Sequence, residues 1–332
     1  MPSTIELRQE DRVVGSVPDF ATTIDASELT ADGAFNDEAL VARIRNACIS
    51  NGFFYIGGLQ SDDLSSWPIL GKMQSFFSLD DQDPRKQSVL QGDNGYGWVP
   101  MYSEPAYQPD TVAHMESFDC GLNNFSGATS QRAWPDIPGF GNDVTNCWRE
   151  FSALGSSALK LISAAAGFDP EFLPGNCDSR KLDTLRLLHY PANDIPACDR
   201  NVGIAAHTDF ECITLIYQSA PGLELMGPSD QWLDAPSHDG RIVVLLDDML
   251  ERWTNGIFKA TGHRVRNTAE QRFSIVLFFA ANDGINISPA PPLVSKTRPA
   301  RFAPITQARH IDDEVQRAEH NAKAAARNHD PR

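Results

Sequence analysis

His207-Thr208-Asp209, then His263 and, nine residues beyond it, Arg272-Phe273-Ser274 are the residues of this 332-residue chain whose types and spacing can do chemistry. Two imidazoles and one carboxylate occupy one face of an octahedral ion and leave the opposite positions open, a donor set that suits non-haem Fe(II) and its oxygen chemistry. His207 and Asp209 are two apart, so on an extended segment their side chains leave the same face and converge on one ion. The surrounding run 203–217 (GIAAHTDFECITLIY) has strand composition, as does 271–280 (QRFSIVLFFA). In the second run Arg272 and Ser274 share a face and offer a guanidinium fork and a hydroxyl to one carboxylate. A His-x-Asp pair by itself is usually structural. The third ligand in a strand-flanked position, with Arg-x-Ser downstream, makes the set more than the sum of its parts. His114, His238, His310, His320 and His329 read as surface or packing residues, and His189 stands apart because of the motif that contains it.

Further motifs are ordered along the chain: Asn51-Gly52-Phe53-Phe54-Tyr55-Ile56, Phe76-Phe77-Ser78-Leu79, Pro84-Arg85-Lys86, Gly95-Tyr96 and Glu116-Ser117-Phe118-Asp119. Leu185-Arg186-Leu187-Leu188-His189-Tyr190-Pro191, Trp253-Thr254-Asn255-Gly256, Lys259 and His263-Arg264-Val265 follow. On these residues the chain resembles the isopenicillin-N-synthase-like branch of the Fe(II)/2-oxoglutarate-dependent dioxygenases over nearly its whole length. The segment 185–191 is most similar to microbial and fungal members, including pyrimidine-hydroxylating ones. The resemblance implies a β-rich α+β fold: a double-stranded β-helix (jelly-roll, cupin-like) core with an N-terminal α/β region and flanking helices. Residues 1–332 would form one catalytic unit, with an N-terminal dioxygenase region at 1–125 and the Fe(II)/2-oxoglutarate-binding core at 180–300.

The same resemblance implies Fe(II) on His207, Asp209 and His263, and the distal carboxylate of 2-oxoglutarate on Arg272 and Ser274, with Tyr190 in support. The implied activity uses O2 and converts 2-oxoglutarate to succinate and CO2 while oxidising a small organic molecule, most often by hydroxylation, in secondary metabolism or small-molecule catabolism. Desaturation, ring closure and ring expansion belong to the same chemistry. One alternative is a 2-oxoglutarate-independent oxidase of the isopenicillin N synthase type, with the Arg-x-Ser pair on a substrate carboxylate. The other is a non-catalytic binding protein on the same barrel, against which the intact ligand set argues. Two departures from the family pattern stand out. Leu188 replaces the amide of the plant Asn-x-Tyr motif, and Asp247-Asp248 stands where Gly-Asp is usual, which bears on the local turn because glycine tolerates positive φ more readily.

These residues need elements to position them. Residues 37–44 read as a helix leading into a strand at 53–56, and a second helix is expected from about Leu64 to Phe77. Between Gly92 and Pro109 turn residues and aromatics predict a loop, and Tyr96, Trp98 and Tyr102 are its candidates for lining the substrate site. Glu116 is a further candidate, with pairing to a nearby basic residue as its structural alternative; Arg186 is open in the same way. A long helix over 143–166 carries an apolar stripe from Val144 to Ala165, strands dominate 181–280, with a continuous apolar strand at 241–246, and a charged, Ala-rich surface helix is expected from His310, fraying at 328–332.

Composition excludes several partners. With 41% hydrophobic residues the chain can bury a large core, and no run approaches a membrane span. A formal charge of −16 disfavours nucleic acid and anionic membranes. The opening 15 residues lack an apolar signal core, so a cytoplasmic protein, monomeric by default and acting on a small molecule, is expected. Six scattered cysteines indicate neither zinc nor a disulfide framework. Cys212, three residues beyond Asp209, reads as a small buried hydrophobe.

Overall fold

The computed structural model describes residues 13–16, 22–59, 67–92, 95–104, 106–109, 111–125, 134–192, 201–237 and 240–328. Cys198, His238, His329, the first residues expected for the helix ending at Phe77 and the expected frayed end at 329–332 lie outside them.

Two sheets face each other. The larger has eight strands in the order Thr23–Asp25, Phe53–Gly57, Ile242–Leu246, Ile213–Gln218, Arg272–Phe279, Thr184–Tyr190, Glu116–Gly121, Gly97–Val99. The smaller has five, in the order Val13–Ser16, Trp232–Asp234, Leu223–Met226, His263–Val265, Ile204–His207. From residue 184 to 279 the chain passes repeatedly between the sheets, and this is the expected double-stranded β-helix. Strands from the first 125 residues extend the same larger sheet on both sides of the jelly-roll strands.

Alternation along the strands decides what each face meets. Leu185, Leu187, Ile275, Leu277 and Phe279 point to one side of the larger sheet and pack under helices, whereas Leu188, Tyr190, Ile216 and Val276 point to the other, toward the smaller sheet. The helical side is dominated by the helix Phe140–Ala166, which begins three residues before its predicted start. Its stripe of Val144, Trp148, Phe151, Leu154, Ala158, Leu161 and Ala165 is buried throughout. Gly155 sits where this helix lies against the sheet: a Cβ there would come within 2.5 Å of the Phe279 ring. The helix Glu38–Ser50 is capped by Asp37, whose carboxylate accepts from Ala39 N and Leu40 N, and leads into Phe53–Gly57 as expected.

Two expectations change. The run 203–217 is two strands, one in each sheet, with the crossing at 208–212. The final helix spans Gln307–Asn328, three residues earlier than predicted, and is not merely a surface helix. Its first turns are buried at Gln307 and His310, because Gln307 bridges Phe210 O and Ala281 N while His310 bonds Asp248 at 2.7 Å. No described helix is long and apolar enough to cross a membrane.

Gly155→Ala tests the helix-to-sheet contact. Helix propensity alone would add up to about 1 kcal/mol, but overpacking against Phe279 costs about 1–3 kcal/mol. Urea denaturation is expected to show a net loss of about 1 kcal/mol; a gain in stability would show that the Phe279 ring yields freely.

Candidate active site

His207 ends its strand and pairs directly across the smaller sheet with His263, so the two rings lie 4.2 Å apart, centroid to centroid. Asp209 is not on that strand. It belongs to the crossing between sheets, whose backbone is pinned by Asp248 N to Asp209 O, Met249 N to Glu211 O and Cys212 N to Phe279 O. The crossing brings Asp209 Oδ1 to 3.5 Å from His207 Nε2 and 3.6 Å from His263 Nε2. These three residues form a cluster able to hold a metal ion, with their ligand atoms all within 4.8 Å of one another.

Backbone carbonyls orient both imidazoles. His207 Nδ1 lies 2.8 Å from Ala205 O and His263 Nδ1 3.2 Å from Thr261 O, so each Nδ1 carries the proton and each Nε2 is free to donate its lone pair. The Tyr107 ring stacks on His207 at 4.4 Å and 10° and holds its plane. Burial keeps the His263 imidazole neutral, down at about 4. Burial alone would raise the Asp209 carboxyl, but His263 and His207 beside it pull it down to about 2. Behind it, burial and the charge of Asp209 push Glu211 up to about 8 and Asp247 well above the usual carboxylate range. The carboxylate at the cluster is thus held down while the two buried acids behind it, Glu211 and Asp247, are pushed up. The Asp247 backbone is extended, at φ −119° and ψ 178°, so aspartate in place of glycine there costs no turn geometry.

The cluster opens on a cavity of about 180 Å³ between the sheets. Its larger-sheet wall is a ladder of cross-strand pairs: Tyr190 with Arg272, Leu188 with Ser274, Arg186 with Val276, Thr184 with Phe278. Arg272 is 1% exposed and makes no ion pair with any described residue. Its Nη2 donates to Gln218 Oε1 at 3.1 Å, its Nε to Ala220 O at 3.2 Å, and its guanidinium lies over the Tyr190 ring at 4.6 Å. Ser274 Oγ donates to Tyr217 O at 2.7 Å. Leu188, in place of an amide, lines the cavity opposite Ser274.

The four candidates for substrate contact require correction, since none of them lines this cavity. Trp98 is in the core on the helical side, 1% exposed, and its indole N–H donates to Glu116. Glu116 is tied up by Lys86 at 2.9 Å and His189 at 2.9 Å, on the face of the sheet away from the cavity. That face places His189 between Phe77 and Phe273. Tyr102 is 59% exposed and leans on His114. Tyr96 stands one layer behind the cavity, with a side-chain hydrogen bond to Thr184 and its ring against Gly121, where a Cβ would come within 2.1 Å. The expected loop does reach the site, but through Tyr107, backed by Glu104, and their signal in the sequence is no different from that of its other polar and aromatic residues. Thr184 and Arg186 were missed as lining residues, although their even spacing from Tyr190 is a signal that places all three on one strand face. Ile311 and Val315 of the last helix also line the cavity, which their sequence position did not suggest. The five described cysteines are buried and free, and Cys212 faces Cys177 with sulfurs 3.5 Å apart.

Residues 182–281 match the 2OG-Fe(II) oxygenase superfamily, and residues 22–137 match the region described as non-haem dioxygenase in morphine synthesis N-terminal. A 2-oxoglutarate-dependent dioxygenase of Monascus ruber is 31% identical over 266 residues, covering 74% of this chain and 80% of its own. One of Didymella fabae is 29% identical over 273 residues, with 74% and 80% covered. Among solved structures, a full-length Neurospora crassa protein in complex with alpha-KG has a TM-score of 0.74 at 24% identity, covering 92% of this chain and 99% of that one. The rice dioxygenase for auxin oxidation has 0.70 at 22% identity, covering 92% and 98%. At such identities these two likenesses speak to the fold. A jelly-roll carrying a His-Asp-His cluster, together with these matches in sequence, places the chain in the 2-oxoglutarate–Fe(II) oxygenase superfamily, enzymes that use Fe(II), 2-oxoglutarate and O2 to oxidise a small molecule.

Proposed function

We propose that His207, Asp209 and His263 are the iron ligands of this dioxygenase, that Arg272, Ser274 and Tyr190 hold the distal carboxylate of 2-oxoglutarate, and that the outcome is hydroxylation of the small-molecule substrate. The observation that carries this reading is a pair of buried polar atoms with no hydrogen-bond partner, Asp209 Oδ2 and Arg272 Nη1, on two residues that line one cavity. A buried charged group left unsatisfied costs about 1–3 kcal/mol or more. A cation answers the first atom and an anion the second. The donor set fits Fe(II), since two neutral imidazoles and one carboxylate leave half of an octahedron open.

The protein's own contribution is positioning. Carbonyls of Ala205 and Thr261 keep the Nε2 atoms turned toward the metal position, and Tyr107 holds His207 in plane. Arg272 is held in turn by Gln218 and Ala220, so its fork is oriented before any ligand arrives. Branched and apolar side chains from both sheets, including Leu188, Ile204, Ile216 and Val276, exclude water between the two polar ends. When bound, iron, 2-oxoglutarate and O2 supply the oxidising chemistry, with succinate and CO2 as co-products.

Asp209→Ala is expected to abolish turnover and to weaken Fe(II) binding by more than roughly 100-fold, beyond the loss typical of a supporting contact. Equilibrium dialysis and an oxygen-electrode assay check this, and wild-type-like values would remove Asp209 from the ligand set. Arg272→Ala is expected to weaken 2-oxoglutarate by about 2–5 kcal/mol. Anaerobic titration of the Fe(II)-loaded protein, followed by the visible charge-transfer band of the chelate, reads this directly. Unchanged affinity would make Arg272 a substrate contact, the arrangement of a 2-oxoglutarate-independent oxidase.

A further inference from the structure

The cavity contains two arginines on neighbouring strands, and they differ in one respect. Arg272 bonds to uncharged oxygens, those of Gln218, Ala220 and the Tyr190 hydroxyl. Arg186, four residues along the ladder from Tyr190 and so roughly 14 Å from that end, is enclosed by carboxylates. Its Nε and Nη2 donate to the two oxygens of Asp119 at 2.9 and 2.8 Å, and its Nη1 donates to Glu104 Oε1 at 2.7 Å. Asp119 and Glu104 are almost wholly buried, whereas the Arg186 side chain keeps 18% of its surface and lines the cavity. Glu104 is also held by the Tyr107 hydroxyl at 3.0 Å, so the group is tied to the ring that stacks on His207.

One cation bonded to two carboxylates carries a net negative charge. A substrate carboxylate brought to Arg186 would be a third anion on one guanidinium in a place that excludes water, where like charges repel strongly. An uncharged carbonyl meets no such barrier. Three of the five N–H donors of Arg186 are used, which leaves hydrogens on Nη1 and Nη2 for a neutral acceptor. The lining beyond it is mostly apolar, with Val276, Phe278, Ile311 and Val315 beside the uncharged hydroxyl of Thr184 and the carboxyl of Glu211, and the Arg186 guanidinium lies 5.8 Å from the Phe278 ring centre.

We propose that Glu104 and Asp119 set the charge selectivity of the substrate end of the cavity: by over-neutralising Arg186 they make it take an uncharged, carbonyl-bearing small molecule with an apolar face and turn away carboxylates. This rests on the reading that the Arg272 end belongs to 2-oxoglutarate. The same cavity then sorts its two ligands by charge, an anion at the open arginine and a neutral molecule at the closed one.

The test uses full-length protein loaded with Zn(II) and saturating 2-oxoglutarate, so that the Arg272 end is occupied and no turnover occurs. Benzamide and benzoate, matched in shape and different in charge, are the probes, titrated by ligand-observed NMR. Wild type is expected to prefer benzamide. Glu104→Gln removes one negative charge while keeping the shape, and its benzoate affinity is expected to rise by roughly tenfold or more, the scale of a buried charge gaining a partner, with benzamide little changed. Asp119→Asn should move the ratio the same way and serves where Glu104→Gln does not fold, while Glu104→Asp should retain the wild-type preference. A wild-type preference for benzoate, or a benzoate affinity that does not rise in the folded variants, overturns the proposal. If 2-oxoglutarate itself fails to bind, the co-substrate assignment falls separately, and the probe ratio is read in an Arg272→Ala background where Arg186 is the remaining arginine of the cavity.

Discussion

Everything at this site depends on where the chain crosses from one sheet to the other between His207 and Ile213. The crossing is short and buried, so its backbone groups must find partners, and they find them on the helix Asp248–Trp253 and the strand Arg272–Phe279. Those bonds fix Asp209 between two histidines that are already cross-strand neighbours. The cluster is therefore a property of the jelly-roll connection and of the backbone bonds that pin it.

Charge is distributed in the interior with equal economy. Four acids lie in or beside the cluster, at 209, 211, 247 and 248; burial and the charge of Asp209 raise Glu211 and Asp247, while His263 and His207 hold Asp209 down. Asp248 is spoken for by His310 of the last helix. On the facing wall, two arginines share a cavity with opposite electrostatic surroundings. Buried charges are expensive unless paired, and Arg272 is the one of the two that has no ionic partner among the described residues.

Two segments distant in sequence close the cavity. The loop before the strand Glu116–Gly121 supplies Tyr107, backed by Glu104, and the helix Gln307–Asn328 supplies Ile311 and Val315. Tyr107, His207 and Phe210 also border an outer cavity of about 500 Å³ under that helix, so the inner site is separated from the outer by a layer of side chains about one residue thick.

How much of this was legible differs from element to element. Period-two spacing put Arg272 with Ser274, because alternation along a strand is a local property, and the same alternation, unread at Thr184 and Arg186, sets those two on the face of Tyr190. The stripe of the long helix was legible for the same reason, at a period of 3.6. His207, Asp209 and His263 announced a metal site by residue type, but the geometry first inferred for Asp209, a shared strand face, differs from the one that forms. Residue type determined the chemistry of this protein. Tertiary structure alone decided which aromatics and charges face the cavity: Trp98 and Glu116 point to the helical side, Tyr107 and Arg186 line the cavity, and the last helix borders it. Those choices depend on which sheet face a loop returns to, a non-local matter of packing and of pairing buried charges, and no window of neighbouring residues records it.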